Sequence, residues 1–164
     1  MKKCELACSH ESRRAGGRFF VLGSVRNRYD PKVASPTCVV IRSGEAYQGR
    51  QGFTYLAGLT GATAGSRAIC MTMVELHHGA RAKTHLHRGI ETAVYVIEGE
   101  TEMYFGERLC ELLLARAGEY IYIPADMPHL VLNRSGAQCR AIVAHTAADD
   151  QEGIVPLPEL DALA

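Results

Sequence analysis

Residues 85–91, HLHRGIE, place two histidines and a carboxylate within seven positions, groups that can bind a cation. In a β-strand, residues two apart point to the same side, so His85 and His87 project together with Leu86 opposite. A neutral imidazole is the commonest protein ligand for a transition metal. Two of them on one strand face supply half of a four-ligand set, and Glu91 offers a carboxylate close by. Taken alone, an H-x-H pair is equally compatible with two surface histidines.

Other groups invite the same question and receive plainer answers. Cys4, Cys8 and His10 form a C-x3-C-x-H group, but a second ligand pair is missing nearby, so the expectation is a polar leader. His77 and His78 precede Gly79 and read as loop residues. His145 closes an apolar segment and reads as a structural histidine. Met71 and Met73 alternate along one segment and are expected to fill the core. Tyr95, Tyr120 and Tyr122 are expected to pack on strands with their hydroxyls near polar partners.

These residues must be positioned by short β-elements. The candidates are 38–42 (CVVIR), 53–59, 68–76, 91–100, 101–106, 119–124, 129–133 and 139–146, each bounded by Gly, Pro, Asn or Ser. Residues 110–117, CELLLARA, fit a strand or a single helical turn, and a strand is expected. About eight short strands at this spacing imply an all-β sandwich or small closed barrel. Residues 1–36 read as an N-terminal extension with an apolar patch, Phe19 to Leu22. Residues 37–148 read as the barrel. The tail, 149–164, is expected to lie extended across it with Ile154, Val155 and Leu157 tucked in.

Two blocks sharpen this reading. The first runs from Gly79 through His85, His87 and Glu91 to Gly99. The second runs from Gly118 through Pro124, Met127, Pro128 and His129 to Asn133. In order and spacing they resemble the two sequence motifs of the cupin superfamily. The stretch HLHRGIETAVYVIEGE, PADMPH and the closing VPLPEL also resemble single-domain bacterial cupins labelled as mannose-6-phosphate isomerase-like. Asp126 stands where a glycine is common, and Asp tolerates the same turn conformation.

The resemblance implies a double-stranded β-helix, or jelly-roll barrel, with one divalent transition metal (Zn, Fe, Mn or Ni) in its mouth. His85, His87 and His129 map onto three histidine ligands. For the fourth, counting forward from His87 gives Glu91, while counting back from Gly99 gives Thr92. A one-residue slip moves a side chain to the other face of a strand. Glu91 is the expected ligand, because threonine binds metal poorly and a carboxylate offsets charge.

Three functions fit such a site: metal-assisted isomerisation of a small sugar- or keto-acid-type substrate, non-haem iron dioxygenation, and non-catalytic binding of a small ligand or metal. No catalytic base stands out beyond the ligand set, and no arginine cluster marks a phosphate. Eighteen basic residues balance eighteen acidic ones, which argues against nucleic acid or an anionic membrane as partner. No apolar run reaches the ~18 residues of a membrane span, and no secretory leader is visible at the N-terminus. A cytoplasmic protein with reduced cysteines is expected. A homodimer is expected too, from the resemblance and from the apolar stretches 19–22 and 38–42, since an open sheet edge is a liability unless paired.

Overall fold

A computed structural model describes residues 38–162. The element order is β1 (Ala46–Gln48), β2 (Thr54–Leu59), α1 (Gly61–Ala64), β3 (Cys70–Leu76), β4 (His85–His87), β5 (Thr92–Glu98), β6 (Glu100–Phe105), β7 (Glu111–Arg116), β8 (Tyr120–Ile123), β9 (His129–Leu132), β10 (Cys139–His145) and β11 (Ile154–Pro156). A 3-10 turn over Pro158–Leu160 follows. Two antiparallel sheets result, one ordered β1-β2-β3-β10-β5-β8 and the other β11-β4-β9-β6-β7. The fold is the all-β double-sheet barrel that the strand spacing implies.

Strand period sets what each sheet buries. In β3, Cys70, Thr72, Val74 and Leu76 are buried. In β8, Ile121 and Ile123 are buried while Tyr120 and Tyr122 are exposed. The inward residues of both sheets form one core containing Val96, Met103, Leu130, Leu132 and Ala141. The core is continuous because strands from the two sheets alternate along the chain.

The tight turns use residues suited to left-handed backbone. Gly99 joins β5 to β6 with φ 73°, and a Cβ there would lie 2.3 Å from the Gln138 carbonyl oxygen, so only glycine fits. Asp126 has φ 62°, the conformation anticipated for it. Its carboxylate accepts from the Gly89 amide at 3.1 Å, and its own amide donates to the His87 carbonyl at 3.0 Å. Asn133 is fully buried and fixes the turn after β9. Its amide donates to the carbonyls of Leu76 and Ala137, and its Oδ1 accepts from the Ser135 amide and hydroxyl.

Several expectations need correction. Residues 38–42 form no strand; they run irregularly with Val39 and Val40 exposed. Met71 and Met73 do not enter the core. Both strand parities of β3 are rich in apolar residues, so composition could not fix its phase, and the cysteine–threonine–valine side turns inward. Tyr95, Tyr120 and Tyr122 stand on strands with outward side chains; Tyr95 packs on Tyr120 with ring centroids 4.7 Å apart, and the Tyr122 hydroxyl meets Glu91 as a polar partner. Residues 110–117 do form a strand, because β7 finds a complete partner in β6. The tail is more than a strap, since β11 pairs with β4 and extends its sheet. Cys70 and Cys139 are buried free thiols, as expected, while Cys38 and Cys110 are free and exposed. The Cys4, Cys8 and His10 group and the apolar patch at 19–22 lie outside the described residues. Among those described, no helix is long and apolar enough to cross a membrane.

Candidate metal centre

The site is built on β4 and β9. His85 and His129 are direct cross-strand partners, and His87 sits two residues along β4 on the same face. All three side chains are buried. Each offers one ring nitrogen to a group in which these atoms lie within 4.8 Å of one another. The ring centroids stand 4.3 Å apart for His85 and His129, and 5.1 Å for His85 and His87.

Backbone carbonyls orient two of the rings. His85 Nδ1 lies 2.8 Å from the Lys83 carbonyl oxygen, and His129 Nδ1 lies 2.9 Å from that of Met127. A carbonyl only accepts, so each Nδ1 carries the hydrogen and leaves Nε2 as the free lone pair. His87 Nδ1 is buried with no hydrogen-bond partner. Burial drives every one of these imidazoles towards its neutral form. It pushes His87 down to about 2, with its histidine neighbours adding to the effect, and His129 down to about 3, while His85 is also lowered. Three neutral imidazoles with converging nitrogens, one of them holding an orphaned buried atom, make a donor set that suits a divalent cation. The residues present therefore fit a metal.

The strand carrying two of the histidines is held from the tail side. The Asp161 carboxylate accepts from the Thr84 amide at 2.9 Å and from the Thr84 hydroxyl at 2.7 Å, which holds it below the usual carboxylate range. Leu157 donates its amide to the Thr84 carbonyl, and Ile154 pairs with His87 across the β11–β4 ladder. Sequence reasoning placed the tail on the barrel but missed Thr84 and Asp161. Their signal, a threonine beside the histidine pair and an acid near the terminus, is too common to read alone.

Glu91 does not join the three histidines in this geometry. Its side chain is exposed, and its Oε1 accepts from the Tyr122 hydroxyl at 2.8 Å. The physical reason is the turn at 88–90. Gly89 takes φ 66° and Ile90 donates its amide to the His87 carbonyl, so the turn is too tight to bulge and bring Glu91 inward. Strand β5 begins at Thr92 with the inward phase Thr92, Val94, Val96. Thr92 is 3% exposed, and its Oγ1 lies 2.8 Å from Nδ1 of His145, its cross-strand partner on β10. His145 is buried, and its ring centroid is 4.8 Å from that of His87. Burial pushes it down to about 4. The position expected to hold a carboxylate thus holds a buried threonine–histidine pair. His77 and His78 are exposed, as loop residues, and His78 Nδ1 meets the Ser135 carbonyl.

The histidines line a cavity of about 60 Å³ between the sheets. Its wall is largely apolar, with Phe53, Leu76, Met103, Ile121 and Val143 among its residues. Among the described residues no lysine, arginine, aspartate or glutamate lines it. Gln51 does, buried, with its Oε1 unpartnered; nothing in the sequence distinguished it from a surface glutamine.

Residues 72–145 match the family model described as "Cupin domain". No curated protein matches the chain. Among solved structures, it is similar to an oxalate oxidase in complex with the substrate analogue glycolate, at 22% identity and a TM-score of 0.56, over 66% of this chain and 57% of that one. It is similar to an oxalate decarboxylase at 22% identity and a TM-score of 0.57, over 69% of this chain and 30% of that one. A Bacillus subtilis oxalate decarboxylase studied for its Mn(II) centres matches at 20% identity and a TM-score of 0.56, over 71% of this chain and 30% of that one. The chain therefore spans little more than half of the oxidase and under a third of the decarboxylases. At these identities the likeness shows the fold.

Proposed function

We propose that this cupin barrel binds one divalent transition metal through His85, His87 and His129 and is an enzyme acting on a small oxygenated molecule. The observation that carries the reading is the cluster itself: three buried, neutral imidazoles with nitrogens within 4.8 Å, two oriented by backbone carbonyls and one with an orphaned atom. A metal bound there would polarise a carbonyl or hydroxyl of the substrate, or acidify a water.

The chain's own residues narrow the substrate. A cavity of about 60 Å³ admits a ligand of a few heavy atoms. No cationic side chain on its wall offsets the charge of a phosphate, so the sugar-phosphate label is the less favoured form of this reading. A compact keto-acid-type substrate fits better, and the neighbours named for oxalate chemistry act on a molecule of that size. The apolar wall excludes water around the reacting group. Gln51 and the Thr92–His145 pair are among the wall's hydrogen-bonding groups that would orient a polar end. Metal-assisted isomerisation is the reaction we favour. An oxygen-consuming reaction with iron is the second reading, favoured by the same dry wall.

Elemental analysis and calorimetry test the metal. About one equivalent per chain is expected from Zn(II), Mn(II) or Fe(II), with binding lost when His85 and His87 are both replaced by alanine. A folded protein that takes up none of the three would overturn the proposal. Oxygen uptake that appears with iron alone selects the second reading over the first.

A further inference from the structure

Strand β4 carries two of the three histidines, yet it meets β9 in register at one pair only, His85 with His129. On its other flank β11 pairs with all three of its residues. Two further contacts clamp the ends of that ladder. At one end the Arg88 amide donates to the Gly153 carbonyl at 2.8 Å. A Cβ on Gly153 would lie 2.6 Å from Ile90 Cδ1, so the tail comes this close only as glycine. At the other end Asp161 Oδ1 accepts from the Thr84 amide at 2.9 Å and from the Thr84 hydroxyl at 2.7 Å. The Arg81 guanidinium donates to the Asp161 carbonyl at 2.8 Å and anchors that residue in turn. Thr84, between these groups and His85, is fully buried.

We propose that Asp161 is a positioning residue for His85, acting through the Lys83–Thr84 peptide, a role that rests on metal binding by the three histidines. A peptide unit is planar, so its C=O and N–H turn as one body. The Lys83 carbonyl and the Thr84 amide belong to one such unit. The amide is what Asp161 holds, and the carbonyl is what accepts from His85 Nδ1 at 2.8 Å. The Leu157 amide donates to the Thr84 carbonyl at 2.9 Å and so fixes the next unit, which carries the amide of His85 itself. Both peptide planes that lead into His85 are therefore held by the tail. Rotation of the first plane would remove the acceptor that keeps the hydrogen on Nδ1 and the lone pair on Nε2. The coupling runs both ways. An ion that fixes His85 fixes the same peptide plane, so it strengthens docking of the tail by the factor by which the tail strengthens binding of the ion.

Zinc calorimetry and imidazole nitrogen NMR on the full chain test this. Asp161→Ala should weaken Zn(II) binding by about 10-fold or more, as loss of a group that orients a ligand does. In the metal-free protein it should also turn His85 from the Nδ1–H tautomer to a mixture of both. Asp161→Asn keeps an oxygen that accepts from both Thr84 donors, and its zinc affinity should stay within about twofold of the parent. A tail that merely staples the barrel predicts otherwise: Asp161→Ala would lose stability to urea but keep the parent's tautomer and zinc affinity, and that result would overturn the proposal. An Asp161→Asn protein as weak as Asp161→Ala would overturn it too. A measurement on the parent needs no variant to fold: zinc should slow hydrogen exchange at the Thr84 and Leu157 amides more than along β7, and no such difference would also count against it. A parent that takes up no Zn(II), Mn(II) or Fe(II) sinks the metal function and this role together, whereas zinc bound equally by parent and Asp161→Ala sinks this role alone.

Discussion

Lowering the pH of the metal-free protein from 6.5 to 5.5 should destabilise it steeply. Burial holds His87, His129 and His145 at about 2, 3 and 4 in the folded chain and lowers His85 too, whereas in the unfolded chain each titrates near 6.5. With the folded values depressed, the unfolded state binds more protons throughout the interval, so stability is greatest above about 6.5 and is lost as the pH falls towards the folded values. His87, His129 and His145 each contribute a loss of about 1 kcal/mol over that one pH unit, about 3 kcal/mol together, and His85 adds to it in the same direction. Against a typical total of roughly 5–15 kcal/mol this is a large fraction. For a domain of this size it amounts to a fall in Tm on the order of 10 °C. Urea unfolding of chelator-treated protein at several pH values measures it directly. Calorimetry supplies a second readout: because the folded rings are already neutral, metal binding between pH 7 and 5.5 should release no protons from the rings, and at most one from a metal-bound water. A metal-free protein whose unfolding free energy stays flat from pH 7 to 5.5, or whose metal uptake releases two or three protons, would refute the account of the rings as dry and neutral.

Two substitutions probe the rest of the site. Glu91→Gln should leave metal affinity within a factor of two by calorimetry, whereas Thr92→Val, which strips His145 of its buried partner, should cost about 1–3 kcal/mol in urea unfolding. Asn133→Ala removes donors to two carbonyls and the acceptor for Ser135 in a fully buried turn. A loss of roughly 3 kcal/mol or more is expected by the same assay.

Much of this architecture was legible in the chain because local rules agreed. Glycine and proline punctuation marked most strand limits, and an H-x-H pair on a strand needs no further information to share a face. Asp126 could be placed in a left-handed turn because it occupies the position where the resembled motif commonly has glycine and aspartate tolerates that conformation, and it stands there. Failure came where one signal served two outcomes. Residues 38–42 have strand composition, but no ladder takes them up. Strand β3 is apolar on both parities, so its methionines could not be assigned to a side without knowing its neighbours. Strand β1, at three residues, and the helix α1, at four, are too short to leave a periodic trace. The pairing of β11 with β4 is a contact across more than sixty residues that no local pattern encodes.

The choice between Glu91 and Thr92 shows why phase matters more than chemical aptitude. A carboxylate is the better ligand, and from the first histidine pair the forward count reaches it. The backward count from Gly99 runs along a strand whose alternation Val96, Val94, Thr92 cannot slip without exposing buried Val96 and Thr92 and half-buried Val94. The strand therefore dictates what faces the cavity, and the tight turn at Gly89 leaves no slack to override it. The consequence is electrostatic. On the proposed reading, a divalent ion held by three neutral imidazoles would keep its full charge, since no described residue of the wall is a carboxylate. Compensation must then come from whatever occupies the remaining positions: a hydroxide or an anionic, oxygen-bearing ligand. A small carboxylate or enolate suits that demand, and a neutral sugar does not. On the proposed reading, threonine in place of a carboxylate would shift the site's preference towards ligands that bring their own negative charge.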